Sequence, residues 1–184
     1  MIMKKILIVA SVVLFAACDS KKEEKAETAK TGGEQTGQTI NSPFPVSYSS
    51  NFVMGDPKHA EAILTLWKDW DAGNLSAHKE IFADSLELHF ADGSMMSGVR
   101  DSMLAGGQQY RNTLTSSVSS VDAVMAVKSA DKNENWALIW GKEIDKDQKG
   151  KVDSFYLQET WRFNKDGKAN LMYQFKSAAA PPKN

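Results

Sequence analysis

The spacing of apolar residues changes from helical to strand-like along the chain. An apolar face at helical spacing is formed by Ala60, Ile63, Leu64, Trp67 and Trp70. This first helix is predicted to begin at Asp56-Pro57, because Asp is a favourable N-cap and Pro fits the first helical position, and to end at Gly73. The same pattern predicts two shorter helices, at about residues 76–82 and 99–110.

Strand-like alternation dominates the rest of the domain. A short strand is predicted at residues 86–90, before a polar turn. Four longer strands with turns between them are predicted at about residues 113–128, 136–144, 152–163 and 169–175. Consecutive strands joined by short turns form an antiparallel meander, and helices followed by such a meander indicate an α+β fold. We expect a curved antiparallel sheet wrapped around the first helix.

The N-terminal residues have the three parts of a secretory signal. Two lysines precede an apolar run at residues 6–17, which is short for a membrane span, and small residues lead to Cys18, the single Cys of the chain. The segment LFAAC, residues 14–18, resembles the lipobox of bacterial lipoproteins. The resemblance implies removal of a signal peptide of residues 1–17 and lipidation of Cys18. The alternatives are an ordinary signal peptide with an incidental Cys, or an anchor that is never cleaved.

The segment after Cys18 is predicted to be a disordered tether that extends to residue 42. It consists of Lys, Glu, Thr, Gly and Gln with almost no large apolar residue, and it cannot bury enough surface to fold alone. These features predict a protein anchored in the cell envelope, at the outer membrane. The motif Lys22-Glu23-Glu24 resembles an export signal of surface lipoproteins, or is simply the start of the tether. Basic and acidic residues nearly balance, at 22 and 23, so no nucleic-acid partner is indicated.

Residues 43–177 are predicted to form the domain, before a tail of residues 178–184. The domain contains the short segments LWKDWDAGN at 66–74, IFAD at 81–84, Gly93, Ser97-Gly98 and WRFNKDGK at 161–168. In this order they resemble motifs of the nuclear-transport-factor-2-like superfamily, which includes ketosteroid isomerases and SnoaL-type polyketide cyclases. The resemblance covers about residues 60–175. It implies a cone-shaped fold, with a curved sheet closed by helices and a pocket at its wide end.

Members of that superfamily include both enzymes and non-catalytic binding domains, so function depends on individual positions. The resemblance places Phe90 where isomerases keep an acidic general base. Alternation independently puts Phe90 with Leu86 and Leu88 on one strand face, and His89 with Glu87 on the other. His89 is therefore expected outside the pocket, unless a one-residue bulge exchanges the two faces.

Other pocket candidates are Trp67, Tyr156 and Gln158. Tyr156 falls where the isomerases keep a protonated acid that donates to an oxyanion, and periodicity alone leaves open which face of this strand lines the pocket. The resemblance favours Tyr156 and Gln158 inside. Asp69, next to Trp70, is expected on a solvated helix face. No local motif indicates a metal site or a cofactor.

Three functions remain open at this stage. The first is a non-catalytic module that holds a small apolar ligand or a protein partner. The second is an isomerase, dehydratase or cyclase that uses Tyr156 and His89. The third is a structural role in which the outer sheet face forms a homodimer. An apolar ring at position 90 removes the expected base, and we therefore favour the binding module.

Overall fold

The computed structural model describes residues 40–179, which contain two α-helices and seven β-strands. The predicted signal peptide, Cys18 and most of the predicted tether lie outside the described residues. Among residues 40–179, no helix is both long and apolar enough to cross a membrane. The elements, in chain order, are β1 (Phe52–Met54), α1 (Pro57–Ala72), β2 (Phe82–His89), β3 (Met95–Val99), α2 (Arg100–Arg111), β4 (Leu114–Ser129), β5 (Glu134–Asp147), β6 (Val152–Phe163) and β7 (Ala169–Ala178).

Both ends of helix α1 are formed as the sequence predicts. The Asp56 carboxylate accepts a hydrogen bond from the Lys58 backbone N–H at 3.0 Å, which satisfies one of the free donors of the first turn. Gly73 adopts a left-handed conformation with φ of 71°, and its N–H donates to the Trp70 carbonyl at 2.9 Å. The predicted third helix is also present, as α2.

The predicted second helix is wrong. Residues Lys79–Ile81 form a single 3-10 turn, and the chain is already in strand β2 at Phe82. A seven-residue helix is marginal without tertiary support, and here Phe82 pairs with Ala169 of β7 and buries its ring. Pairing with β7 therefore outweighs the local preference of this segment for a helix.

The seven strands form one sheet in the order β1-β4-β5-β6-β7-β2-β3. The four long strands pair antiparallel in succession, as predicted, whereas β2 lies parallel to β7. The sheet is curved and its concave side packs against α1. At the closest approach, Gly141 of β5 leaves room for the ring of Trp67, since a Cβ atom there would lie 2.8 Å from Trp67 Cζ3. The α+β prediction is confirmed.

The core lies between α1 and the concave face of the sheet. Its fully buried members include Ile63 from the helix and Ile139 and Phe163 from the strands. On β5 the odd-numbered side chains point inward and the even-numbered ones outward, so that Ala137 and Ile139 are buried. The same alternation determines which side chains point inward along the rest of β5.

Candidate functional site

A cavity of about 640 Å³ lies beside this core. Helices α1 and α2 and strands β2, β5, β6 and β7 all contribute to its walls. Most of the lining is apolar, and polar groups are concentrated on the walls from β5, β6 and β7. The volume falls within the range of about 300–1,000 Å³ that is typical of small-molecule sites.

Two of the candidate pocket residues line this cavity, Trp67 from α1 and Phe90, the residue that follows β2. Phe90 shares the cavity wall with Leu86 and Leu88, as the alternation along the strand predicts. An aromatic ring therefore forms this part of the cavity wall.

His89 lies on the opposite face of the sheet. Its ring stacks on Tyr173 of β7 with centroids 4.7 Å apart, and its Nε2 is 2.6 Å from Glu87 Oε1. No bulge exchanges the two faces at this end of the strand, because Leu88 pairs with Met172 and His89 with Tyr173 in regular register. His89 therefore does not reach the cavity.

The placement of Tyr156 and Gln158 inside the pocket is corrected by the structure. The inward side chains of β6 are Phe155, Leu157, Glu159, Trp161 and Phe163. Tyr156 is half exposed, and neither Tyr156 nor Gln158 lines the cavity. The reason is the pairing with β5, which sets Phe155 opposite the inward-pointing Glu143 and Tyr156 opposite the outward-pointing Lys142. The inward face of β6 is therefore shifted by one residue from the face that the resemblance implies.

The acidic groups of the cavity are not among the pocket residues predicted from the sequence. Glu143 and Asp145 on β5 and Glu159 on β6 are each more than nine-tenths buried and line the same space. The signal was present in the chain, because Glu143 and Asp145 continue the alternation of the buried Ala137 and Ile139. A carboxylate in phase with buried apolar residues is the feature that would have revealed them.

Glu159 is held by three N–H donors. Its Oε2 accepts hydrogen bonds from the indole Nε1 of Trp67 at 2.8 Å and of Trp161 at 2.9 Å. Its Oε1 accepts one from the Gln174 amide at 3.0 Å. These bonds satisfy the two tryptophans and fix their rings around the carboxylate. Glu159 therefore organises the cavity wall and has little capacity left for a ligand.

Ser117 and His78 are the side chains that contact Asp145 and Asp69 from neighbouring elements. The Ser117 hydroxyl donates to Asp145 Oδ1 at 2.6 Å and accepts from Trp70 Nε1 at 2.9 Å. Asp69 is buried, contrary to the prediction of a solvated face, because His78 covers it with its Nδ1 3.0 Å from the carboxylate. The turn that replaces the predicted second helix places this histidine.

Glu143 differs from these acids, because its hydrogen-bond partner is another acid, Asp145. Burial, the negative charge of Asp145 and the hydrogen bond to Asp145 raise the pKa of Glu143 to about 8; the charge of Glu159 adds to the effect, and the Lys176 ammonium opposes it. At pH 7 the Glu143 carboxyl is therefore mostly protonated and can donate a hydrogen bond to Asp145. Burial and the charges of Asp145 and Glu143 also raise the pKa of Tyr110 at the cavity wall.

The pair of Glu143 and Asp145 thus places a proton and a negative charge side by side against an apolar cavity. Such a pair can donate a hydrogen bond, accept one, attract a cation, or exchange a proton with a bound molecule. Lys176 is the basic residue among the described lining, and its Nζ lies 3.3 Å from the centre of the Phe155 ring. In residues 40–179, no three potential ligands are grouped so as to hold a metal ion.

Comparison with known proteins gives a structural likeness without a sequence match. No family model matches the chain, and no curated protein matches it in sequence. A putative SnoaL-like polyketide cyclase from Shewanella denitrificans shares 9% identity over 66% of this chain and 92% of its own, with a TM-score of 0.54. An NTF2-like protein of unknown function from Burkholderia pseudomallei has a TM-score of 0.52, with 13% identity over 65% of this chain and 90% of its own.

An enzyme is also among the similar structures. The epoxide hydrolase/cyclase-like enzyme SalBIII, which acts in pyran ring formation in salinomycin, shares 12% identity over 65% of this chain and 91% of its own, with a TM-score of 0.51. At these identities the likeness establishes the fold and leaves the activity open. The described domain therefore has the nuclear-transport-factor-2-like fold, in agreement with its sheet order and its helices.

Proposed function

We propose that this protein is a binding module that holds a small, largely apolar ligand in its central cavity. The observation that carries the proposal is the cavity itself, about 640 Å³ with walls formed mainly by apolar side chains such as Leu88, Phe90 and Met103. Water in such a space lacks hydrogen-bond partners over most of the wall, so an apolar molecule that displaces it gains free energy. The few polar groups at one side of the cavity fix the orientation of the bound ligand.

Filling the cavity tests this function. Leu88→Trp puts a larger ring into the cavity, and His89→Trp adds the same ring to the outer face of the same strand. We expect Leu88→Trp to weaken binding of the neutral apolar dye Nile red at least tenfold, and His89→Trp to leave it unchanged. Native mass spectrometry of the purified protein should show a bound mass that the first variant loses. Equal dye binding by wild type and a folded Leu88→Trp would overturn the proposal.

We also propose that the module is anchored in the cell envelope, at the outer membrane, through lipid on Cys18. The sequence supports this, since its single Cys follows an apolar run that ends in small residues. Several acyl chains on one residue give a lasting anchor, because each buried CH₂ contributes about 0.8 kcal/mol. Intact-mass analysis should find acyl groups on an N-terminal Cys18, and Cys18→Ser should leave the membrane fraction. Membrane retention of Cys18→Ser with no acyl mass on the wild type argues for another anchor.

Proton-transfer catalysis is the second candidate, and the pair of Glu143 and Asp145 favours it. Tyr156 and His89 cannot form the site, because both lie outside the cavity. Protonated Glu143 could act as a general acid and the neighbouring Asp145 as a general base. If the bound molecule is a substrate, its C–H bonds should exchange with D₂O in the presence of the wild type and not of Glu143→Gln. Absence of exchange leaves the binding module as the function.

A further inference from the structure

We propose that the ligand of the cavity is an amphipathic cation, with an apolar body against α1, α2 and β2 and a protonated amine near Glu143 and Asp145. This inference rests on the proposed binding function and specifies the chemistry of the ligand. It follows from the distribution of charge, burial and hydrogen bonds around the cavity.

The cavity wall carries far more negative than positive groups. Its acidic lining residues are Asp69, Asp92, Glu143, Asp145 and Glu159. Lys176 on β7 is the basic residue among the described lining. With Glu143 neutral, four carboxylates face one ammonium, and Tyr110 of α2 is the other titratable group of the wall. An anionic ligand would meet repulsion here, whereas a cation is attracted.

Hydrogen bonds then identify which acids can receive the ligand. Glu159 already accepts three N–H donors, and Asp69 is covered by His78. Asp145 receives one short bond from Ser117 on a single oxygen. Glu143 is bonded to the Asp145 carboxylate, a contact that persists only while a proton lies between the two groups. An ammonium group placed between them would satisfy both carboxylates without that proton.

The apolar part of the cavity strengthens this recognition. Leu88, Phe90 and Met103 exclude water from the opposite side, and charge–charge attraction increases as the local dielectric constant falls. The same wall already holds one ammonium group, since Lys176 Nζ lies over the Phe155 ring at 3.3 Å. A ligand with both an apolar body and a cationic head uses both parts of the cavity at once.

Binding of such a cation should also release a proton. At pH 7 Glu143 is mostly protonated, because its pKa is raised to about 8 by burial and by Asp145. A nearby ammonium group favours the ionised form and lowers this pKa, so the proton leaves as the ligand enters. A neutral or anionic ligand would not cause this release.

The test uses octylamine, 1-octanol and octanoate, which share one alkyl chain and differ in the charge of the head group. Isothermal titration calorimetry of the purified full-length protein at pH 7, in phosphate and in Tris, measures both affinity and proton release. We expect octylamine to bind at least tenfold more tightly than octanol, and octanoate more weakly than octanol. The octylamine enthalpy should differ between the two buffers by an amount that corresponds to release of a substantial fraction of one proton.

Variants separate the acid pair from the apolar walls. In Glu143→Gln/Asp145→Asn, both side chains keep their size and both can still form hydrogen bonds, so the cavity should keep its shape while the preference for octylamine over octanol and the proton release disappear. Glu87→Gln removes a carboxylate on the outer face and should behave as the wild type. Thermal unfolding confirms that each variant is folded.

The possible outcomes distinguish this inference from the proposed function. If octanol binds as tightly as octylamine, or if octanoate binds best, the cavity function stands and the cationic ligand is excluded. A preference for octylamine that survives in the folded double variant also overturns the inference, because the charge is then recognised elsewhere. If none of the three probes binds, both the inference and the apolar-ligand function fail.

Discussion

Glu159 shows how a buried charge can serve structure. Its carboxylate is 6% exposed, yet both oxygens are occupied by N–H donors from three different elements: α1, β6 itself and β7. The indole N–H groups of Trp67 and Trp161 need an acceptor as much as the carboxylate needs donors. Replacement of one partner therefore leaves the others unsatisfied.

Glu159→Leu is expected to lower the free energy of unfolding by about 2–6 kcal/mol, because two buried indole donors lose their acceptor and each such loss costs about 1–3 kcal/mol. Urea denaturation measures the change. Glu87→Leu is the control, since Glu87 is an exposed carboxylate on the outer face and a surface substitution of this kind changes stability by about 0.5 kcal/mol or less. A loss below about 1 kcal/mol for Glu159→Leu would show that water satisfies the indoles instead.

Glu143 should make stability depend on pH. Its pKa rises from 4.5 in the unfolded chain to about 8 in the folded protein, where it lies against Asp145. The folded state thus binds more protons than the unfolded state between these two values. The resulting stabilisation is fully present below pH 4.5 and is lost as pH rises through about 8, with a slope of at most about 1.4 kcal/mol per pH unit.

Urea denaturation of the wild type and of Glu143→Gln at several pH values between 5 and 8 measures this slope. Glutamine cannot ionise, so the decline with pH should be markedly smaller in the variant. Glu87→Gln should keep the slope of the wild type. Equal slopes in all three proteins would mean that Glu143 ionises normally and that the acid pair does not share a proton.

At the scale of the elements, strand β5 joins the core to the cavity. Its inward positions run from Ala137 and Ile139, which pack in the core, to Glu143 and Asp145 at the cavity. Gly141 lies between the two parts, opposite a register irregularity between Val121 and Ala123 of β4. The missing side chain lets the helix approach the sheet at the boundary between core and cavity.

Gly141→Ala is expected to be strongly destabilising, by more than about 2 kcal/mol. Its Cβ would lie 2.2 Å from the Ser120 carbonyl oxygen and 2.8 Å from the Trp67 ring, and neither backbone nor a buried ring moves easily. Gly106→Ala in α2 is the control, since a Cβ there has no atom within 4 Å and Ala is favoured over Gly in a helix by up to about 1 kcal/mol. Thermal unfolding should give opposite shifts. A small effect at Gly141 would indicate that the helix and sheet can separate.

At the scale of the whole molecule, local patterns predicted more of the fold than of the site. Capping residues placed α1, and alternation between polar turns placed the four long strands, because these signals depend on neighbours in the sequence. The phase of β6 relative to the cavity depends on its pairing with β5, and both faces of β6 carry large apolar groups. Local periodicity therefore could not exclude Tyr156 or reveal the role of Glu159.

The burial of Asp69 has a similar cause. Nothing near Asp69 in the helix indicates it, because its cover comes from His78 after the end of α1. The strand start at Phe82 likewise depends on Ala169, which lies far along the chain. The failed predictions are thus those that depend on contacts with a different element of the structure.

The outer face of the sheet carries an apolar surface. One row across five strands is formed by Met125, Leu138, Thr160, Tyr173 and His89, and the neighbouring row includes Trp140, Gln158 and Phe175. Phe175 is 59% exposed and Tyr156 50%. Contiguous exposed apolar groups of this kind mark interaction sites more often than free surface. We propose that this face pairs with a second copy of the chain in a homodimer.

Sedimentation velocity of the full-length protein with Cys18→Ser should show a dimer at micromolar concentration. Phe175→Lys should shift it to a monomer, because two related copies would each bring a charge into the centre of the apolar contact. Phe44→Lys is the control, since Phe44 is 75% exposed and lies outside the strands. A wild type that stays monomeric at high concentration contradicts the dimer. Because the acid pair lies on the concave side, the monomeric variant should still bind octylamine, so that assembly and ligand recognition can be tested separately.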